Sequence, residues 1–194
     1  MSAVAGIDSE RCGAAGDRSG GQRSRLAREF AAPRLPGLID LQLRELTPSD
    51  RRALRFMFDR LSPSSRQQRF LHAKNELSVR ELEELTRLDH WHHEALIAWS
   101  LVPRVPIGVG RYVRGDEFDI AEVAITVIDE WQRRGVGRQL LFELRDRARR
   151  AGIRRFSALM LRSNKGALRL AHELGPCRLV RSSDGIVQLE CWCE

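Results

Sequence analysis

Residues 121–151 read AEVAITVIDEWQRRGVGRQLLFELRDRARRA. An apolar, β-branched run comes first, then a short polar stretch, then Gln132-Arg133-Arg134-Gly135-Val136-Gly137, then a helical pattern. Val136, Leu140, Leu141, Leu144 and Ala148 recur at helical spacing and predict one buried face, with Gly152 as the stop. The stretch is therefore a strand, a glycine-bearing turn and a helix N-terminus in succession. Such a junction aims free backbone N–H groups and the positive end of the helix dipole at one spot, where a phosphate can sit. Gly135 and Gly137 let the backbone approach an anion without a Cβ in the way. The amides from Arg133 to Arg138 can donate to phosphate oxygens, and Arg133, Arg134 and Arg138 add charge.

The rest of the chain frames this junction. It has 194 residues, enough for one domain and a tail. Residues 1–36 are rich in Gly, Ser, Ala and Arg, without a sustained period. They predict a disordered tail, in which Arg23, Arg25 and Arg28 are solvated. Residues 37–194 are the folded domain. The segment 38–46 alternates, with Ile39, Leu41 and Leu43 on one face, as a half-buried strand does. Three short helices should follow. Thr47-Pro48-Ser49-Asp50, Ser62-Pro63 and Ser78-Val79-Arg80-Glu81 are their capped starts. Strands are predicted over 94–100, 106–113, 118–128 and 153–161. A last helix is capped by Ser163 or Asn164, and a hairpin covers 177–181 and 186–192.

Composition narrows the partners. The formal charge is +7, but the basic residues are nearly all arginine and are interleaved with acids. So diffuse a footprint argues against nucleic acid. No apolar run reaches the ~20 residues that span a bilayer, and no signal-peptide pattern opens the chain. The expectation is a cytoplasmic protein without a membrane partner. Cys12, Cys177, Cys191 and Cys193 show no zinc spacing and are expected as free thiols. His90, His92 and His93 have the wrong spacing for one helix face, so a cleft-lining loop is expected there and no metal.

With these elements in order, the chain resembles the GNAT superfamily of acyl-CoA N-acyltransferases. Gln132-Arg133-Arg134-Gly135-Val136-Gly137 matches its Q/R-x-x-G-x-G/A junction, and Asn164-Lys165-Gly166-Ala167-Leu168 lies one strand later. The resemblance spans residues 38–194. It implies an α/β (α+β) GNAT fold: a mixed, mostly antiparallel sheet of six or seven strands with four or five helices. The chain is most similar to the GNAT domain of bacterial protein lysine acetyltransferases. Shared features are SPSSRQQRFLH over 62–72, LDH over 88–90, HEALIA over 93–98 and AEVA over 121–124.

The resemblance implies transfer of acetyl from acetyl-CoA, as co-substrate, to an amine, with protein lysine as acceptor. A small-molecule amine acceptor and a non-catalytic acyl-CoA-binding module are the alternatives. The pyrophosphate would sit on Gln132 to Arg138. The pantetheine arm would pair with Ile125, Thr126 and Val127, which requires that strand to splay from the parallel strand after it. Asn164 would contact the CoA arm or the acceptor, besides capping a helix. Glu122 interrupts an apolar strand, a costly place for an unpartnered carboxylate, and stands where these enzymes carry their base. Two departures stand out. Ala171 occupies the position of the tyrosine that many GNAT enzymes use to protonate the departing thiolate. Pro176 replaces the usual aromatic after the helix-ending glycine.

Overall fold

The computed structural model describes residues 40–193. The expected tail over 1–36, with Arg23, Arg25, Arg28 and Cys12, lies outside them, as does Ile39. β1 (Leu41–Glu45) is followed by a 3₁₀ turn over Pro48–Asp50 and then α1 (Arg51–Asp59), α2 (Pro63–Phe70) and α3 (Val79–Thr86). Three antiparallel strands come next: β2 (His93–Ser100), β3 (Val105–Arg114) and β4 (Ile120–Val127). α4 (Val136–Arg150), β5 (Arg155–Leu161), α5 (Lys165–His172), β6 (Cys177–Ser183) and β7 (Ile186–Trp192) complete the chain.

The seven strands form one sheet in the order β1-β2-β3-β4-β5-β7-β6. Every neighbouring pair is antiparallel except β4 and β5. That parallel pair is the consequence of the α4 crossover, since a parallel connection needs a long return path. It spans three residue pairs, Ile120↔Arg155, Ala121↔Phe156 and Glu122↔Ser157, and stops there. Beyond Glu122, β4 keeps its partner β3 through Val127 and loses β5. The sheet is thus split by a wedge that opens toward the C-terminal ends of β4 and β5, as the resemblance requires.

Local signals explain the helices. The Thr47 and Ser78 capping boxes both form, and Ser62 Oγ accepts the Ser65 amide at 3.2 Å. Leu54, Met57 and Phe58 bury the inner face of α1. On α4, Val136, Leu140, Leu141, Leu144 and Ala148 are all buried, the valine and the leucines each worth roughly 2 kcal/mol of burial before entropy is charged. α4 lies close on the sheet because β3 has no side chain at two positions beneath it. A Cβ on Gly110 would stand 2.8 Å from Leu144 Cδ1, and one on Gly108 would stand 3.1 Å from Leu140 Cδ1.

Two expectations are corrected. Cys177 and Cys191 are not free thiols: they face each other across the β6–β7 ladder and form a disulfide. Only the register of the closing hairpin brings them together, and the sequence does not state that register. Cys193 is free and buried, and burial pushes its thiol up to about 11, which makes it inert. The strand expected from Phe118 begins at Ile120, because Phe118 is exposed and lies over the Arg114 guanidinium, 4.7 Å from it.

Candidate active site

The wedge between β4 and β5 is the floor of a cleft of about 580 Å³. α2 forms one wall, the start of α4 another, and α5 the third. Glu122, Ile125, Thr126, Val127, Gln132, Arg133, Gly135, Gly137, Arg138 and Asn164 all line it. Residues from β4, the turn, α4 and α5 thus converge on one space.

The end of the cleft at the β4–α4 turn is shaped by backbone. Arg133 and Gly135 both have positive φ, 57° and 83°. Two left-handed residues around Arg134 curl the chain so that successive amides point to one side. The first intrahelical bond of α4 is Gln139 N–H to Gly135 O at 3.0 Å. Among the described residues the amides of 133–138 find no acceptor, so free donors and the positive end of the helix dipole lie at this turn, where Arg133, Gly135, Gly137 and Arg138 line the cleft. A Cβ on Gly137 would stand 3.8 Å from both Ile125 Cγ2 and Val127 Cγ2, within the cleft.

The side chains of this turn are mostly occupied elsewhere. Gln132 Nε2 donates to Val127 O at 3.1 Å, Asp129 Oδ1 at 3.0 Å and Ser65 Oγ at 3.3 Å, which ties the turn to β4 and α2. Arg138 pairs with Glu173 at 2.7 Å. Arg134 lies over the Trp131 ring and does not line the cleft. The Val136 side chain is in the core, so Val136 has just its amide to offer. Asn164 Oδ1 accepts the Ala167 amide at 3.0 Å and caps α5, leaving Nδ2 without a partner among the described residues.

Glu122 sits where the β4–β5 ladder ends. Its half-buried carboxyl has no hydrogen bond and no ion pair within 4 Å among the described residues. Burial pushes it above the usual carboxylate range, while the positive charge of Arg69 on α2 pulls the other way. Tyr112, the chain's one tyrosine, is fully buried against Phe156 and lines no part of the cleft. Ala171 lines the cleft but carries no proton.

The histidine loop is held by Asp89, whose Oδ1 accepts the amides of Trp91, His92 and His93. His90 Nδ1 is 3.2 Å from Glu94 Oε1 and His92 Nδ1 is 3.1 Å from Asp89 Oδ2. None of these side chains lines the cleft. No group of three or more metal-ligating side chains occurs among the described residues.

Sequence reasoning missed two cleft-side residues. Arg69 lines the cleft from α2, in a helix so polar that one more arginine gives no signal. Arg111 is buried in β3 and stands behind Arg69. A signal for it existed: Arg111 interrupts the apolar run over 105–113 just as Glu122 interrupts β4.

Comparison with known proteins accords with this geometry. The model of the acetyltransferase (GNAT) family matches residues 54–175. The chain belongs to the GNAT acetyltransferase family. It is 32% identical over 137 residues to Acetyltransferase PA5475 of Pseudomonas aeruginosa, covering 69% of this chain and 73% of that protein. It is 34% identical over 110 residues to Acetyltransferase Pat of Mycolicibacterium smegmatis, covering 56% of this chain. The match spans 33% of Pat's own length. The crystal structure of the GNAT domain of S. lividans PAT superposes with a TM-score of 0.71 at 30% identity, covering 78% of this chain and 90% of that one. The protein is thus an acetyltransferase of the acyl-CoA N-acyltransferase class, whose members take the acetyl group from acetyl-CoA. Among the described residues, no helix is long and apolar enough to cross a membrane.

Proposed function

We propose that the protein transfers acetyl directly from acetyl-CoA to an amine, with a protein lysine as the acceptor and Glu122 as the base. The observation that carries this reading is the position of Glu122. It is a half-buried carboxylate with neither ion pair nor hydrogen bond, at the point where β4 and β5 part. The names of two relatives, Pat and PAT, support the protein acceptor.

The cleft fits the donor in two respects. The amides of 133–138 suit a pyrophosphate. The unpaired edge of β4 from Val123 to Val127 suits the amide-bearing pantetheine arm, which would run past Ile125, Thr126 and Val127. Asn164 Nδ2, free of the cap that Oδ1 makes, would meet the arm or the acceptor.

A lysine amine of pKa ~10.4 is neutral about one time in a thousand near pH 7.4, a cost of roughly 4 kcal/mol. Glu122 offsets this by taking the ammonium proton first; the freed lone pair then attacks the thioester carbonyl, and the second N–H proton passes to solvent as the adduct collapses. The C–N bond forms, the C–S bond breaks, and the thiolate leaves. With alanine at 171, its proton comes from solvent.

A second reading, a small amine that carries an acid group, is favoured by Arg69 and Arg111 and is developed below. A single screen tests the proposal: purified protein, radiolabelled acetyl-CoA, lysine-rich proteins and a panel of small amines. Label on lysine Nζ supports it. Label confined to small amines, or to none, contradicts the protein acceptor.

A further inference from the structure

Behind the cleft lies a second cavity of about 50 Å³, between β3 and the helices α1–α3. Leu61, Arg69, Phe70 and Thr126 line both cavities, so the smaller one is a recess of the larger. Its walls are otherwise apolar apart from one residue, Arg111. Arg111 is 6% exposed, and its Nε has no hydrogen-bond partner. Among the described residues, neither Arg111 nor Arg69 has an ion pair. Arg69 rests on the Phe70 ring at 5.1 Å.

A buried guanidinium is normally matched by a carboxylate, because its desolvation is otherwise uncompensated. Here Arg111 is buried, and Arg69, half-buried in the cleft wall, stands beside it. Burial holds each down to about 10, and Arg69 adds like-charge repulsion on Arg111. The remaining charged groups do not resolve the imbalance. His93, one strand away, is disfavoured as a cation by its burial first and by Arg111 as well. Glu122 offsets the charge of Arg69 in part but forms no pair with either arginine.

Register places this recess beside the base. Arg111 is opposite Ala124 and Val113 is opposite Glu122. Arg111 and Glu122 are therefore diagonal neighbours on one face of the sheet, about 7 Å apart at Cβ. A recess of about 50 Å³ exceeds the space that one water needs, enough for a small group such as a carboxylate.

We infer that Arg69 and Arg111 form a receptor for a carboxylate on the acceptor, a few bonds from the amine that Glu122 deprotonates. This rests on the acetyltransferase reading for its geometry but not for its binding chemistry. The carboxylate belongs either to a small amino acid or to an acidic residue beside a target lysine. Two planar, forked guanidiniums suit it in either case.

Two measurements on the full chain separate the recess from the catalysis. Calorimetric titration with acetate should show saturable binding that weakens at least tenfold in Arg111→Met. The same substitution should raise Tm, since it exchanges an unmatched buried charge for an apolar chain. The second measurement is kcat/KM for matched acceptors: free lysine against lysinamide, and a Glu-Lys peptide against its Gln-Lys counterpart. One acid form should be preferred at least tenfold, mainly through KM, and the pair that shows it names the source. In Arg111→Met the preference should fall to about twofold. No acetate binding together with equal use of acid and amide overturns the inference while leaving the acetyltransferase reading intact. Acetate binding without transfer to any amine sustains the recess and refutes that reading. A lower Tm in Arg111→Met that Arg111→Lys restores, with acetate binding absent in the wild type, also overturns it.

Discussion

The two sides of the cleft are built in opposite ways. The donor side is made of consecutive residues and of backbone. Its amides from 133 to 138 are free, while Gln132, Arg134 and Arg138 spend their side chains on the protein itself. The acceptor side is made of side chains from β4, α2 and β3. There, Glu122, Arg69 and Arg111 are the groups left unmatched. The difference separates two tasks. On the proposed reading a pyrophosphate is the same in every turnover, and a fixed curl of amides would recognise it whatever the side chains are. An acceptor needs specific charges, and those are supplied by groups held at a cost to the fold.

If this contrast is right, damage to the donor side should appear in acetyl-CoA binding or in stability and leave the acceptor KM unmoved. Among the donor-side changes the largest effect is expected from Gly137→Val, which puts a side chain against Leu170, Ile125 and Val127. The KM for acetyl-CoA should rise about 30-fold, equivalent to about 2 kcal/mol, with the acceptor KM unmoved. Calorimetry with CoA checks it. Gly135→Ala should cost about 1 kcal/mol in a denaturant titration, because φ is 83° there and alanine resists that conformation. Asn164→Ala should cost up to about 1 kcal/mol of stability through its lost cap. If the acetyl-CoA KM also rises, Asn164 holds the arm as well; if it does not, the residue is a cap.

The smallest effect concerns the acceptor side and has a sign fixed by linkage. The folded-state pKa of Glu122 is raised, so its ionised form is disfavoured by folding. Below the unfolded pKa both states hold the proton and nothing is lost. As pH rises through the folded value the penalty develops in full. Glu122→Gln should therefore match the wild type in thermal stability near pH 4 and exceed it slightly at pH 8.

The same contrast explains what could be read in the chain itself. The β4–turn–α4 unit was legible because every determinant is local: β-branched run, two glycines, apolar stripe. Asn164 and the capping boxes were legible for the same reason. The wedge was expected from the GNAT resemblance, and the abrupt end of the β4–β5 ladder shows it. What was not legible depends on register or on packing across the sheet. Cys177 and Cys191 meet because β6 and β7 pair in one register out of several. Arg69 and Arg111 come to one recess because α2 packs on β4, the neighbour of β3, through contacts distant in sequence. A charged residue inside an apolar strand was the one clue to Arg111, and it is the same clue that singled out Glu122.

The central claim is that an acceptor-side carboxylate takes the proton from the amine. Its most direct test is kcat/KM against pH, from 6 to 9, for the wild type and Glu122→Gln with a lysine acceptor at saturating acetyl-CoA. The account predicts a loss of roughly 100-fold or more near pH 7. That loss should narrow as pH climbs toward the amine's own pKa, where the lysine arrives already neutral. Superimposable profiles for the two proteins across the range would contradict it.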